Sequence, residues 1–345
     1  MAEPLFLRAC RREPVERTPV WLLRQAGRYQ PVYRAIRERH SMLEVINTPE
    51  LAAQVTLLPV DSFGVDAAII FSDILPPLVG MGLELDFVKG DGPRIGNPIS
   101  TTRDVDLLGA PPAEETMAGT LEAIRIVRSE LEARGIPVIG FAGAPFTLAS
   151  YAIEGGTSRD FAKTKAFMLS EPAAWKRLLG KLVTVQADYL LAQAAAGAQA
   201  LQIFDSWVGR ALGREDYLRY VAPHNRELFA TVAAAGVPVI NFSLGVSAYL
   251  SEAAACGGDV VGLDWSLPLD EAWERVGFDR PVQGNLDPVS LLAPWRELRY
   301  RIDDVLDRAG GRPGHVFNVG HGLTPPTPED NVRRLVEHVR ERTSA

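Results

Sequence analysis

The chain has 345 residues, 47% of them apolar and 23% charged, so it can bury a large core and disorder is excluded on composition. Its 36 basic residues are outnumbered by 43 acidic ones, and a net charge of −7 argues against a general nucleic-acid binder. Two cysteines, Cys10 and Cys256, are too few for a disulfide-stapled secreted scaffold, and no apolar run reaches the roughly 18 residues of a membrane span.

The start, Met1-Ala2-Glu3-Pro4 followed by Arg8, Arg11 and Arg12, does not read as a signal peptide, and the cytoplasm is the expected compartment. Length alone suggests about two domains, a prior that α/β barrels exceed as single units. Eight short apolar runs follow in order: Val20–Leu23, Ala67–Phe71, Pro137–Phe141, Ala200–Phe204, Pro238–Phe242, Val260–Leu263, Pro281–Gly284 and His315–Val319. They are rich in Val, Ile and Phe with little alternation, as strands buried on both faces are. Gly80–Ile95, where Leu83, Leu85 and Phe87 alternate with polar residues, predicts a hairpin inserted after the second strand. Helical spacing marks Ala118–Arg134, Trp175–Ala196, Tyr217–Ala235 and Asp330–Arg342. Gly135-Ile136-Pro137 and Gly236-Val237-Pro238 each stop a helix ahead of a strand.

Strand and helix alternating eight times predict a (β/α)8 TIM-type barrel. An open doubly wound sheet would want Gly-x-Gly-x-x-Gly after its first strand, where this chain has Arg24-Gln25-Ala26-Gly27-Arg28. In a barrel the site lies at the C-terminal ends of the strands. The residues there are Arg24, Gln25 and Arg28, then Ser72-Asp73, then Gly140–Pro145 with Tyr151 beyond. Asp205-Ser206, Asp264, Asn285 and Gly320-His321-Gly322 complete the set.

Each has a plain reading as well. Arg24 and Arg28 fit a solvated helix turn, though Gly27 suggests a shaped loop. Asp73 and Ser206 fit helix caps, although Pro76-Pro77 right after Asp73 is poor helix material. Tyr151 fits a core aromatic, His321 a structural histidine, and the six tryptophans read as packing. The glycines flanking His321 suggest a backbone that approaches something closely. No zinc-protease, nucleophile-elbow, Cys-x-x-Cys or Gly-Lys-Ser/Thr phosphate-loop motif occurs, and the five histidines lack metal spacing.

Two long strings resemble a known family. Pro19-Val20-Trp21-Leu22-Leu23-Arg24-Gln25-Ala26-Gly27-Arg28 is similar to the first signature of uroporphyrinogen decarboxylases. Gly140-Phe141-Ala142-Gly143-Ala144-Pro145-Phe146-Thr147-Leu148-Ala149-Ser150-Tyr151, with Glu154-Gly155, is similar to the second. Phe71–Leu75, Gly284–Pro288 and Asn318–Gly322 match further segments in family order. The resemblance implies a somewhat distorted single-domain (β/α)8 barrel over residues 1–345, a homodimer with facing clefts, and no cofactor or metal. It implies decarboxylation of the four acetates of uroporphyrinogen III to give coproporphyrinogen III in haem biosynthesis, with no nucleic-acid or membrane partner. Carried over by residue, Arg24 and Arg28 meet substrate carboxylates, and Gln25, Ala26 and Gly27 line the same loop. Asp73 holds the pyrrole N–H groups and stabilises a protonated ring. Tyr151, Ser206 and His321 are further substrate contacts, and Phe204 packs on the ring.

There are departures. Leu23 replaces a usual Met, and Phe146 a common Trp. Asn47 stands near where many members carry a basic lid residue. Asn241 and Ser243 also differ from the family's pattern after the fifth strand. Two alternatives remain: a corrinoid-linked zinc methyltransferase on the same fold, and a non-catalytic tetrapyrrole carrier.

Overall fold

A computed structural model of the protein describes residues 3–88 and 92–344. Its strands are β1 (Ala68–Ile69), β2 (Leu85–Val88), β3 (Gly92–Ile95), β4 (Val138–Gly143) and β5 (Ala200–Asp205), followed by β6 (Val239–Ser243), β7 (Val260–Gly262), β8 (Val282–Leu286) and β9 (His315–Val319). Seven of them form one all-parallel sheet in the order β1-β4-β5-β6-β7-β8-β9, with helices in the connections. β2 and β3 form the predicted hairpin, with Leu85 opposite Ile95; its turn lies outside the described residues.

The eighth stave is the first apolar run, and it departs from expectation. Instead of a full strand, residues 20–23 make a single parallel bridge, Val20 to Phe317. The amide of Phe317 donates to Pro19 O at 2.9 Å, and that of Asp66 donates to Val20 O at 2.8 Å. The segment thus joins β9 to the start of β1 and closes the barrel. Side chains replace the missing ladder. The Val20 amide donates to Asp66 Oδ2 (2.8 Å), the Leu22 amide to Gln25 Oε1 (3.1 Å) and the Leu23 amide to Asn318 Oδ1 (2.9 Å). Buried amides need partners, and here carboxylate and carboxamide groups supply them. β1 is likewise shorter than Ala67–Phe71, because the Phe71 amide turns to the hydroxyl of Thr56 at 2.9 Å.

The helices follow the sequence with one correction. Ala118–Leu131 continues as a 3-10 turn, Glu132–Arg134, and stops at Gly135 in left-handed backbone (φ 63°). Pro172–Ala195 and Glu329–Thr343 stand where helices were expected. The single helix expected over Tyr217–Ala235 is three pieces: Arg214–Tyr220, Ala222–Val232 and a turn at Ala233–Ala235. Pro223 explains the break, since it has no N–H for the preceding turn and restricts the residue before it.

The barrel interior is partly polar. Trp21 Nε1 donates to Gln283 Oε1 (3.0 Å), and Gln283 Nε2 to Gln202 Oε1 (3.2 Å). Toward the strands' C-terminal ends Phe141, Phe204 and Phe242 stack edge to face, with centroids 5.6 and 5.8 Å apart. Phe146, one departure from the family pattern, is fully buried edge-on to Trp175 at 6.0 Å. A further departure, Asn241, donates to the carbonyls of Ala253 and Gly257 at 3.0 Å each and so ties down the connection to β7.

Candidate active site

The loop after the first stave is held on three sides. Gln25 is buried, its Oε1 accepting from Leu22 and its Nε2 donating to Ala67 O at 3.0 Å. Leu23 is pinned through its amide by Asn318 and through its carbonyl by the Leu323 amide at 3.0 Å. Both ends of the Gln25 amide are therefore engaged, so its side chain builds the loop. Ala26, like Phe71, packs against the cluster of Tyr33, Val45 and Val55, and Gly27 is half-buried beside it. Arg24 and Arg28 are exposed, and neither meets a carboxylate among the described residues. Burial raises the Tyr33 pKa, and Arg37, then Arg28 and Arg24, oppose it.

Arg24 adopts left-handed backbone at φ 56°. Its stem lies across Gly322, where an added Cβ would come within 2.3 Å of Arg24 Cδ. At Gly320 a Cβ would stand 2.6 Å from the Trp265 amide nitrogen. The two glycines flanking His321 thus mark close approaches, as their pattern suggested.

Asp73 follows β1 by four residues. It is not a helix cap: Pro76–Gly80 starts from Leu75 with no side-chain cap. Its Oδ1 accepts from the Leu75 amide at 3.0 Å, closing a tight turn. Burial raises its pKa; the Leu75 amide, the Arg24 charge and the Ile74 amide pull the other way. Tyr151, on the helix Pro145–Glu154, lies within the electrostatic reach of both Asp73 and Arg24, and burial raises its pKa so that the hydroxyl stays protonated. His321 is pushed down to about 4, by burial first and then by Arg24. Its Nδ1 accepts from the Gly322 amide at 2.7 Å. The neutral ring therefore carries its proton on Nε2 and is a donor without charge. Arg24, Asp73, Tyr151 and His321 accordingly share one mouth.

Phe204 and Ser206 flank Asp205 at the end of β5; both are half-buried. Trp207, read from sequence as packing, stacks on Tyr151 with centroids 3.7 Å apart and so forms part of the same wall. Arg210 was missed altogether. It is exposed on the short helix Val208–Ala211, and its charge reaches His321. One arginine in a four-residue helix leaves no periodic signal to find it by. Asp264 and Asn285 are committed to structure: Asp264 accepts from the Gly245 and Ser266 amides, and Asn285 donates to Asp264 O and Leu267 O.

The constellation of two free arginines, a half-engaged aspartate and neutral donors agrees with the family match: the profile described as uroporphyrinogen decarboxylase (URO-D) covers residues 1–342. The chain belongs to the uroporphyrinogen decarboxylase family. Curated relatives carrying that name include proteins from Chloroflexus aurantiacus (55% identical, over 97% of this chain and 95% of the relative) and from Roseiflexus sp. (55%, 99% of both). Another, from Thermus thermophilus, is 52% identical over 99% of this chain and 98% of its own length. Among solved structures, a methyltransferase from Methanosarcina mazei superposes with a TM-score of 0.83 at 20% identity, covering 99% of both chains. That likeness speaks for the barrel alone.

Membership makes this chain a decarboxylase of porphyrin biosynthesis and sets aside both the methyltransferase and the carrier. The departure at Asn47 falls at the C-terminal end of the helix Met42–Asn47, whose N-terminus carries a Ser41–Glu44 capping box. Its backbone packs on Gly119, where a Cβ would stand 2.8 Å from Asn47 O.

Proposed function

We propose that the enzyme removes the four acetate carboxyls of uroporphyrinogen III as CO2, giving coproporphyrinogen III, with Asp73 as the electrostatic centre of the reaction. The observation that carries this reading is the Asp73 carboxyl: one oxygen fixed by a turn, no cation paired with it among the described residues, and Arg24 beside it.

A carboxylate leaves as CO2 only if its electron pair has a destination. Protonation of a ring carbon turns the pyrrole into an azafulvene-like cation next to the acetate. The bond to the carboxylate then breaks, its pair flows into the ring, and CO2 departs. A proton taken up at the side-chain carbon and one lost from the ring leave a methyl group, one proton consumed per CO2. The chemistry calls for no metal or organic cofactor, because the pyrrole is its own electron sink. An ionised Asp73 at the pyrrole N–H groups stabilises the cation, as an oxyanion hole does with the sign reversed. Such a preorganised contact is worth about 2.7–4 kcal/mol. Full acceleration of a very slow reaction asks for roughly 20 kcal/mol, so orientation by the rest of the mouth must supply much of it.

Arg24 and Arg28 hold substrate carboxylates, for which the planar guanidinium is suited and from which it does not part with a proton. Neutral His321, Tyr151 and Ser206 donate to further oxygens, Phe204 packs on the ring, and Gln25, Ala26 and Gly27 contribute backbone. The chain acts as one domain in a cytoplasmic homodimer whose mouths face each other. Sedimentation showing only monomer at micromolar concentration would remove that part. The activity itself is tested by anaerobic incubation with uroporphyrinogen III. Stepwise loss of four CO2 is expected; bound but unaltered substrate would overturn the proposal.

A further inference from the structure

Beneath the mouth lies a carboxyl for which the chemistry above has no use. Asp205 ends β5, is 2% exposed, and meets no basic side chain among the described residues. Its Oδ1 accepts from the Thr147 hydroxyl at 2.8 Å and its Oδ2 from Asn225 Nδ2 at 3.3 Å. The Thr147 oxygen in turn accepts from the Trp207 amide at 3.2 Å. Thr147 sits on the helix that carries Tyr151, and the Trp207 ring stacks on Tyr151. One chain of contacts therefore runs from Asp205 through Thr147 to both sides of the wall: to Tyr151 by the helix, and to Ser206 by the backbone between Asp205 and Trp207.

We propose that Asp205 is a positioning residue for this reaction, its carboxylate locking Thr147 so that Tyr151 and Ser206 are presented together. The proposal rests on the decarboxylase reading of the mouth. The acceptor-only form of the carboxyl fits the network, because Thr147 and Asn225 both donate to it. The Asn225 Oδ1 is buried and has no partner among the described residues, while its Nδ2 faces the carboxylate. The other titratable groups facing Asp205 are Tyr217, from Arg214–Tyr220, Tyr249, from the turn Ser247–Tyr249, and Cys256; all three are uncharged donors. Burial raises the Asp205 pKa to about 6, so the lock opens on mild acidification.

The test is a pH profile with a double-mutant cycle. Asp205→Asn keeps the shape but has a single acceptor oxygen, so it cannot accept from Thr147 and from Asn225 as both are now turned. It should lower kcat about tenfold above neutrality and abolish the acid limb expected of the wild type near pH 6. Thr147→Val should reproduce the loss, the double variant should be no worse than either single one, and Thr147→Ser should restore activity. Losses that multiply in the double variant, or an Asp205→Asn profile that overlays the wild type, would overturn the proposal. A readout independent of turnover is the near-ultraviolet dichroism of the Tyr151–Trp207 stack. It should titrate near pH 6 in the wild type and lose that step in Asp205→Asn and in Trp207→Phe. A wild type inert toward uroporphyrinogen but showing this step would refute the substrate and keep the lock; persistence of the step in Asp205→Asn would refute the lock.

Discussion

Arg24 shows how much of the site is decided by single residues. A non-glycine residue in left-handed backbone costs about 1–3 kcal/mol and persists only where its surroundings over-determine it. Here Gln25, Asn318 and Gly322 do so. Gly322→Ala would put a methyl into the Arg24 stem, so kcat/KM for uroporphyrinogen should fall about tenfold, the size of one charge-assisted contact. Arg24→Lys should fall comparably, since a point charge cannot reproduce a bidentate fork; steady-state kinetics in which both variants match the wild type would contradict this. The positions of Asp73 and His321 past strand ends were legible from sequence, because strand ends can be read from apolar runs. The role of Gln25 was not, because sequence does not say whether an amide turns toward a ligand or toward its own backbone. Nor was Trp207, whose partner Tyr151 is 56 residues away in the chain.

At the scale of elements, seven runs become strands because their backbone groups find neighbours on the sheet, whereas residues 20–23 close the barrel through side chains. Apolar runs show which segments are buried but not which partner each amide takes, so this stave looked like the others. Its key is Asp66, which accepts from the Val20 amide while pairing with Arg17 at 2.7 Å and Arg340 at 3.0 Å. The carboxylate side chain is 9% exposed. Asp66→Ala would strand two guanidinium groups and one buried amide, and should cost about 3 kcal/mol, read from urea unfolding. A loss below about 1 kcal/mol would mean that the barrel closes without it. The broken helix at Val221 has the simpler cause of Pro223, present in the sequence but outweighed there by an unbroken apolar period.

For the molecule as a whole, a net charge of −7 offers a polyanion no general attraction, so the proposed substrate depends on a few local arginines at the mouth. Its pH response follows from buried groups of opposite sense. His315 and His321 are both pushed down to about 4, so unfolding takes up protons between about 6.5 and 4, and stability falls as pH falls through that window. Asp205, raised from 3.8 to about 6, works the other way: its contribution is complete below the unfolded value and is lost as pH rises through 6. The urea midpoint should therefore drop on acidification from pH 7 to 4.5, and drop more steeply in Asp205→Asn; a shallower slope in the variant would contradict these assignments. The proposed reaction turns on one carboxylate, Asp73. The most direct test is the turnover of Asp73→Asn on uroporphyrinogen III under anaerobic conditions, with tetrapyrrole binding measured alongside. Asparagine keeps the turn at Leu75 and can still accept a hydrogen bond, but it carries no charge. The expected result is retained fold and binding with kcat lowered about a hundredfold or more, in line with 2.7–4 kcal/mol, while Asp73→Glu keeps part of the activity. Near-normal turnover in Asp73→Asn would contradict the account, because the protonated ring would then need no counter-charge.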